Sequence, residues 1–262
     1  MNEDFKNILE QIYEFKRKHG VIWFRGHSDS NYKLNSGLYR IDKDTGSIRN
    51  MENNIFNAFL NYGDSYCNSF IENKNWNVLF LMQHYGMYTR LLDWTDSFIT
   101  ALYFATQERD KDECACIWMI NPIQLNKSCH QLYDKSEDDG FDLIRLLTVD
   151  TLPERIKNYT NYFEKELNIG TFAMVPRRNN TRLVSQNGFF TVQGTINKPL
   201  DEEYRCHIDD FIIKIELDPS TYEDRVQFLK LNGINYYSLY GGIDGLCKYL
   251  KDEFFGIKLN NI

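Results

Sequence analysis

A chain of 262 residues that is 42% hydrophobic and 15% aromatic can bury a core of domain size, and it reads as one large domain. Its formal net charge of -7 excludes a general nucleic-acid or anionic-membrane surface, since both need a basic field; a local basic pocket stays open. No apolar run approaches the length of a membrane span, so the expected setting is the cytoplasm with no membrane partner.

Phe5, Ile8, Leu9, Ile12 and Phe15 recur at helical spacing before His19-Gly20, which predicts a helix over residues 3–18 docked by one face. Val21-Ile22-Trp23-Phe24 reads as a short buried strand that delivers Arg25-Gly26-His27-Ser28 to a turn. There Arg25 offers a fork of donors for phosphate or carboxylate, Gly26 lets a ligand approach the backbone, and His27 and Ser28 add hydrogen-bonding groups. The structural alternative buries Arg25 in an ion pair.

Residues 31–37 read as loop, and Leu38-Tyr39-Arg40-Ile41 as a short extended piece carrying a second arginine, Arg40, before a turn at 42–46. Helices are predicted over 48–70 and 76–85. Gly86 then suits a helix C-terminus after Gln83-His84-Tyr85. If residues 89–95 are extended, the period of two puts Thr89, Leu91, Asp93 and Thr95 on one face and Arg90, Leu92 and Trp94 on the other. A rival reading makes Thr95 or Asp96 the cap of a helix over 97–107 and pairs Asp93 with Arg90. The expectation is that the strand carrying Arg25 and the segment carrying Asp93 converge on one pocket.

Beyond this stretch, Cys114 to Ile120 is a continuously apolar strand stopped by Asn121-Pro122. Residues 136–140 form an acidic loop, and 143–147 and 152–167 read as helical. A strand over 171–176 precedes a basic turn at Arg177-Arg178-Asn179-Asn180. Gln186-Asn187-Gly188 then leads as a turn into a strand over 189–192. Alternation marks a half-buried strand over 211–217. Pro219 opens a helix ended by Gly233, residues 235–239 read as a last short strand, and Ile243, Leu246, Cys247, Leu250 and Phe254 give a final amphipathic helix.

Six cysteines lack the density and context of a disulfide framework and are expected as reduced thiols. Cys129-His130 and Cys206-His207 are adjacent pairs rather than CxxC spacings, so no metal is expected. Strands mixed with helices without a regular βαβ rhythm imply an α+β fold: a small mixed or antiparallel sheet with flanking helices. Residues 1–20 would be a helix packed on a domain of residues 21–262.

Trp23-Phe24-Arg25-Gly26-His27-Ser28, Gln83-His84-Tyr85-Gly86, Thr89-Arg90-Leu91-Leu92-Asp93-Trp94-Thr95 and Ala101-Leu102-Tyr103-Phe104-Ala105 together resemble the FRG domain family, named for Phe-Arg-Gly. Arg182 with Gln186-Asn187-Gly188-Phe189-Phe190-Thr191 resembles that family's Gln-Gly-Phe element. Residues 229–250 resemble its C-terminal end, with a departure at Tyr240-Gly241-Gly242. The resemblance implies a bacterial effector in phage-defence or toxin settings, similar in architecture to ADP-ribosyltransferases, with NAD as substrate. On that reading Arg25 matches the arginine at a strand end and Thr89 and Thr95 the hydroxyls. The late acidic position falls near Gln186, which is not acidic, and leaves Asp93 as the motif carboxylate able to substitute. The implied nucleotide-binding set is Arg25, Gly26, His27, Ser28, Arg40, His84 and Arg90. The implied ligand is a small phosphate-bearing molecule, cleaved or transferred. The alternative is a non-catalytic module that senses a nucleotide or a protein partner.

Overall fold

Seven strands form one sheet whose order, β4-β5-β6-β2-β1-β3-β7, does not follow the chain. They are β1 (Trp23–His27), β2 (Leu91–Thr95), β3 (Ala115–Ile120), β4 (Leu147–Thr148), β5 (Phe172–Val175), β6 (Gly188–Val192) and β7 (Ile212–Leu217). The computed structural model describes residues 2–41, 44–63, 76–107, 113–129, 146–160, 169–176, 188–195, 198–203 and 210–255. β4 pairs β5 in parallel and every other neighbouring pair is antiparallel. The fold is α+β, and its mixed sheet is larger than the small one expected.

The helices are α1 (Glu3–His19), α2 (Thr45–Gly63), α3 (Trp76–His84), α4 (Phe98–Thr106), α5 (Pro122–Ser128), α6 (Tyr222–Leu231), α7 (Tyr236–Tyr240) and α8 (Gly242–Phe255). α1 forms because Asn2 caps it, acidic residues open it, basic residues close it, and Phe5, Ile8, Ile12 and Phe15 supply one buried stripe.

Helices cover one face of the sheet in two groups. α2 and α3 bring Phe56, Leu60, Trp76 and Leu79 onto Leu91, Phe172 and Phe190. α1, α4 and α6 bring Phe5, Leu102 and Leu229 onto Phe24, Ile117 and Ile215. The opposite face carries Trp23, Leu92, Trp94 and Phe189 under Leu34 and Leu125. Strand alternation explains this split: residues on one strand that differ by two share a core, and paired residues on neighbouring strands share it too.

The seam between the two helical groups falls where the sheet is weakest. β1 pairs β3 over its whole length, from Trp23 opposite Ile120 to His27 opposite Cys116. β2 likewise pairs β6 from Leu91 to Thr95. Between β1 and β2, however, Phe24 opposite Thr95 is the single register pair. Beyond that pair the two strands part, which leaves a gap beside Arg25 and Asp93.

Several local expectations change. The first strand begins at Trp23 and runs on through His27, so Arg25-Gly26-His27 is strand rather than turn. Leu38–Arg40 is a turn of 3-10 helix, not extended. Residues 236–240 form a helix rather than a strand, because the Asn235 side chain accepts from Ser238 N while Ser238 bonds back to the Asn235 backbone. Leu147 lies in β4, and Glu154–Ile156 is 3-10. The expected elements at 136–140 and 177–180, and parts of those at 64–70, 143–145 and 161–167, lie outside the described residues. Cys114, Cys116, Cys129 and Cys247 are free thiols. Among the described residues no helix is long and apolar enough to cross a membrane.

Candidate functional site

A cleft of about 430 Å³ occupies the seam. β1 and the loop after it provide Arg25, Gly26, His27, Ser28, Tyr32 and Arg40; α3 provides Phe80, Gln83 and His84; β2 provides Asp93, Trp94 and Thr95; α4 provides Thr100, Ala101 and Phe104. Its volume lies in the range of small-molecule sites, and its walls mix aromatic rings with a few charged groups.

Arg25 spans the gap between β1 and β2. Its Nε donates to His27 Nε2 at 2.9 Å and its Nη1 donates to the Asp93 backbone carbonyl at 2.6 Å. The side chain thus stands in for a ladder bond that the parted strands cannot make. Two consequences follow for charge. Arg25 has no carboxylate ion pair among the described residues, and its remaining N–H groups are left to the cleft. Burial lowers its pKa to about 10, against the pull of Asp93, so it stays cationic at neutral pH.

His27 is neutral, because burial first and the charges of Arg25 and Arg40 next depress its pKa to about 3. Accepting from Arg25 at Nε2, it carries its proton on Nδ1. Behind it, burial pushes the Cys116 thiol up to about 12, which removes it as a nucleophile.

Arg40 reaches the cleft from a pinned loop. Its Nε donates to Asn35 O at 3.0 Å. Gln193, just after β6, donates from Nε2 to Asn35 Oδ1 at 2.6 Å and accepts from Ser36 N at 2.8 Å. The loop's other end joins the segment before β2, where Leu38 N donates to Thr89 O at 3.1 Å.

Asp93 is exposed on an otherwise buried strand, and its Oδ2 accepts from Gln83 Nε2 at 2.9 Å. Gln83 lies in the last turn of α3, and Gly86 at φ 79 takes the left-handed conformation that turns the chain away. Gly26 has a different reason to be glycine. A Cβ there would lie 1.9 Å from Ala101 O and 2.7 Å from Ala105 N, so the close approach it permits is that of α4.

Residues 20–114 match the family model of the FRG domain. Over these residues the chain is similar to the FRG domain. No curated protein and no solved structure matches it. The matched residues hold β1, β2 and α4 and hence most of the cleft, while the resembling pieces after residue 180 fall beyond the match.

From the expected set the cleft gathers Arg25, Gly26, His27, Ser28, Arg40, His84, Asp93 and Thr95, all within the matched residues. Arg90 is not among its lining. It is 2% exposed, donates Nε to Glu52 Oε1 at 2.6 Å and Nη2 to Glu52 Oε2, and donates Nη1 to Gln193 O at 2.9 Å. Its partner is therefore Glu52 of α2, not Asp93. Tyr159 donates to the same carboxylate, and burial beside Glu52 raises its pKa well above the usual value and keeps it a neutral donor. Thr89 is also buried away from the cleft lining, with its hydroxyl donating to Gln83 Oε1 at 2.6 Å. Thr95 lines the cleft, yet its Oγ1 accepts from Ser97 N at 3.1 Å. Ser97, rather than Thr95 or Asp96, caps α4. Gln186 lies outside the described residues. Gln83, which lines the cleft, and Gln193, which holds the loop that carries Arg40, were not among the expected residues; a polar residue in the last turn of an apolar helix was the available signal for Gln83.

Proposed function

We propose that the cleft binds a phosphate-bearing nucleotide of the NAD class and promotes cleavage or transfer at its glycosidic bond. The observation that carries this reading is Arg25: a cation held in a cleft without a carboxylate ion pair among the described residues, with Arg40 on the same cleft. An acidic protein with a local basic pocket favours small anions over polyanions. Arg25 and Arg40 would take the phosphates, and aromatic walls would take a flat ring.

Asp93 supplies the chemistry. When the ribose C1′–N bond breaks, its electron pair passes to the pyridinium nitrogen and the nicotinamide leaves neutral. Positive charge then builds on the ribose, and a carboxylate beside it lowers that barrier. Water or an acceptor group adds at C1′ and loses its proton. One feature favours a second reading, a nucleotide-sensing module: among the described residues the cleft lining offers one carboxylate, Asp93.

Calorimetry with NAD, ADP-ribose and ATP tests the binding claim. Arg25→Ala is expected to lose about tenfold to a hundredfold in affinity, the worth of a charge-assisted contact. Equal binding by wild type and variant removes Arg25 as the anchor. Asp93→Asn keeps one acceptor oxygen and is expected to lose no more than about tenfold in affinity while lowering NAD turnover by about a hundredfold or more. Binding with no turnover by the wild type leaves the sensing module.

A further inference from the structure

Three hydrogen bonds in series run from the backbone of β2 to the Asp93 carboxylate. Leu91 N–H, which can only donate, meets Thr89 Oγ1 at 3.1 Å. The Thr89 hydroxyl donates in turn to Gln83 Oε1 at 2.6 Å. Gln83 Nε2 then donates to Asp93 Oδ2 at 2.9 Å. The direction of the series is set at its carboxylate end. A carboxylate oxygen accepts, so Gln83 presents its amide nitrogen to Asp93 and its oxygen to Thr89, and the Thr89 hydroxyl donates to that oxygen while accepting from Leu91 N. Thr89 is 1% exposed, so water does not compete for its hydroxyl.

The series occupies one oxygen of the carboxylate. Among the described residues Oδ1 of Asp93 has no hydrogen-bond partner, and the residue is exposed at the cleft. An ionised carboxylate oxygen only accepts, so whatever meets it in a ligand is a donor or a developing cation. The Asp93 backbone carbonyl is meanwhile the acceptor of Arg25 Nη1 at 2.6 Å. Anion anchor and free carboxylate oxygen therefore meet at a single residue. In a nucleotide the donors closest to a phosphate are the hydroxyls of the sugar that carries it.

We infer that Thr89 and Gln83 are positioning residues that hold Asp93 with one oxygen free for a ribose hydroxyl, so that the cleft selects ribonucleotides over their deoxy forms. This rests on the nucleotide reading above. It gives Thr89 a role other than a catalytic hydroxyl, and it explains why position 83 carries an amide. A glutamate at 83 would accept from Thr89 and then face Asp93 with a second negative charge.

Affinities of ADP, 2′-deoxy-ADP, 3′-deoxy-ADP and inorganic pyrophosphate, measured by calorimetry on wild type, Thr89→Ser, Thr89→Val and Gln83→Leu, decide it. Wild type is expected to prefer ADP over at least one deoxy form by about tenfold to a hundredfold, as for one hydrogen bond to a charged group. Thr89→Ser keeps the hydroxyl and should keep the preference. Thr89→Val and Gln83→Leu should lose most of it while binding pyrophosphate as wild type does, an outcome that a general loss of structure would not give. ADP bound without discrimination by the wild type overturns the inference alone, and this arm needs no variant to fold. The preference kept in full by a folded Gln83→Leu overturns it as well. Failure of wild type to bind either ADP or pyrophosphate overturns the nucleotide reading and the inference with it.

Discussion

Arg25 and Arg90 both sit in apolar company next to a strand, and each could be read from sequence as a ligand anchor or a buried ion pair. Arg90 is met by Glu52 through two nitrogens, by Gln193 O through a third, and by the Tyr39 ring with its centroid 5.7 Å from the guanidinium carbon. Arg25 is met by a neutral histidine and a backbone carbonyl. Arg90 is neutralised where it lies and ties α2 to the start of β2. Arg25 keeps its charge for something else. Whether an arginine serves the fold or a ligand depends on where its counter-charge comes from, and a backbone carbonyl orients a guanidinium without cancelling it.

The largest expected effect breaks the Arg90 side of this contrast. Glu52→Gln keeps shape but leaves Arg90 buried without a counter-charge, and should cost about 3–5 kcal/mol in urea unfolding. A loss well under 1 kcal/mol would mean that Arg90 finds its balance elsewhere.

Next in size is an acid effect from His27 on the Arg25 side. Its folded pKa, about 3, lies below the ordinary 6.5 of the unfolded chain. Above 6.5 neither state binds the proton and stability is complete. As pH falls from 6.5 toward 3 the unfolded chain takes up a proton that the fold refuses, so stability drops by at most about 1.4 kcal/mol per pH unit. Replacing the ring by an uncharged side chain, His27→Gln, should flatten this part of the stability profile. An unchanged slope would assign the acid sensitivity to carboxylates.

Gly26→Ala probes the wall that α4 makes. The added methyl must push Ala101 O away, and overpacking of this kind should cost about 1–3 kcal/mol, read as a lowered urea midpoint. Smallest is the stability effect of Arg25→Ala, about 1 kcal/mol, since the lost partners are one histidine nitrogen and one carbonyl beside a cleft. A loss as large as that of Glu52→Gln would erase the difference between the two arginines.

Much of the local structure was legible. The stripe of α1, the continuous apolar run of β3 and the extended segment with Asp93 announce themselves by period and composition. The helix at 236–240 was hidden because Tyr-Tyr reads as strand, although Asn235 with Ser238 three residues later is a cap signal that overrides it. In the site, Arg25 and Asp93 stood out as charges in apolar surroundings. Gln83 did not, since a glutamine near a helix end is ordinary until its two partners are known.

By itself the sequence determined which residues are strand and helix over most of the described chain, the α+β class, and the presence of the FRG motif, because period, caps and spacing are local properties. Only the tertiary structure decided that Glu52, 38 residues before Arg90, is its partner, and that β1 and β2 part after Phe24 and Thr95. Those outcomes depend on which strands become neighbours and how two helix groups share one face, and the cost of burying an unpaired charge then selects among partners that are distant in the chain.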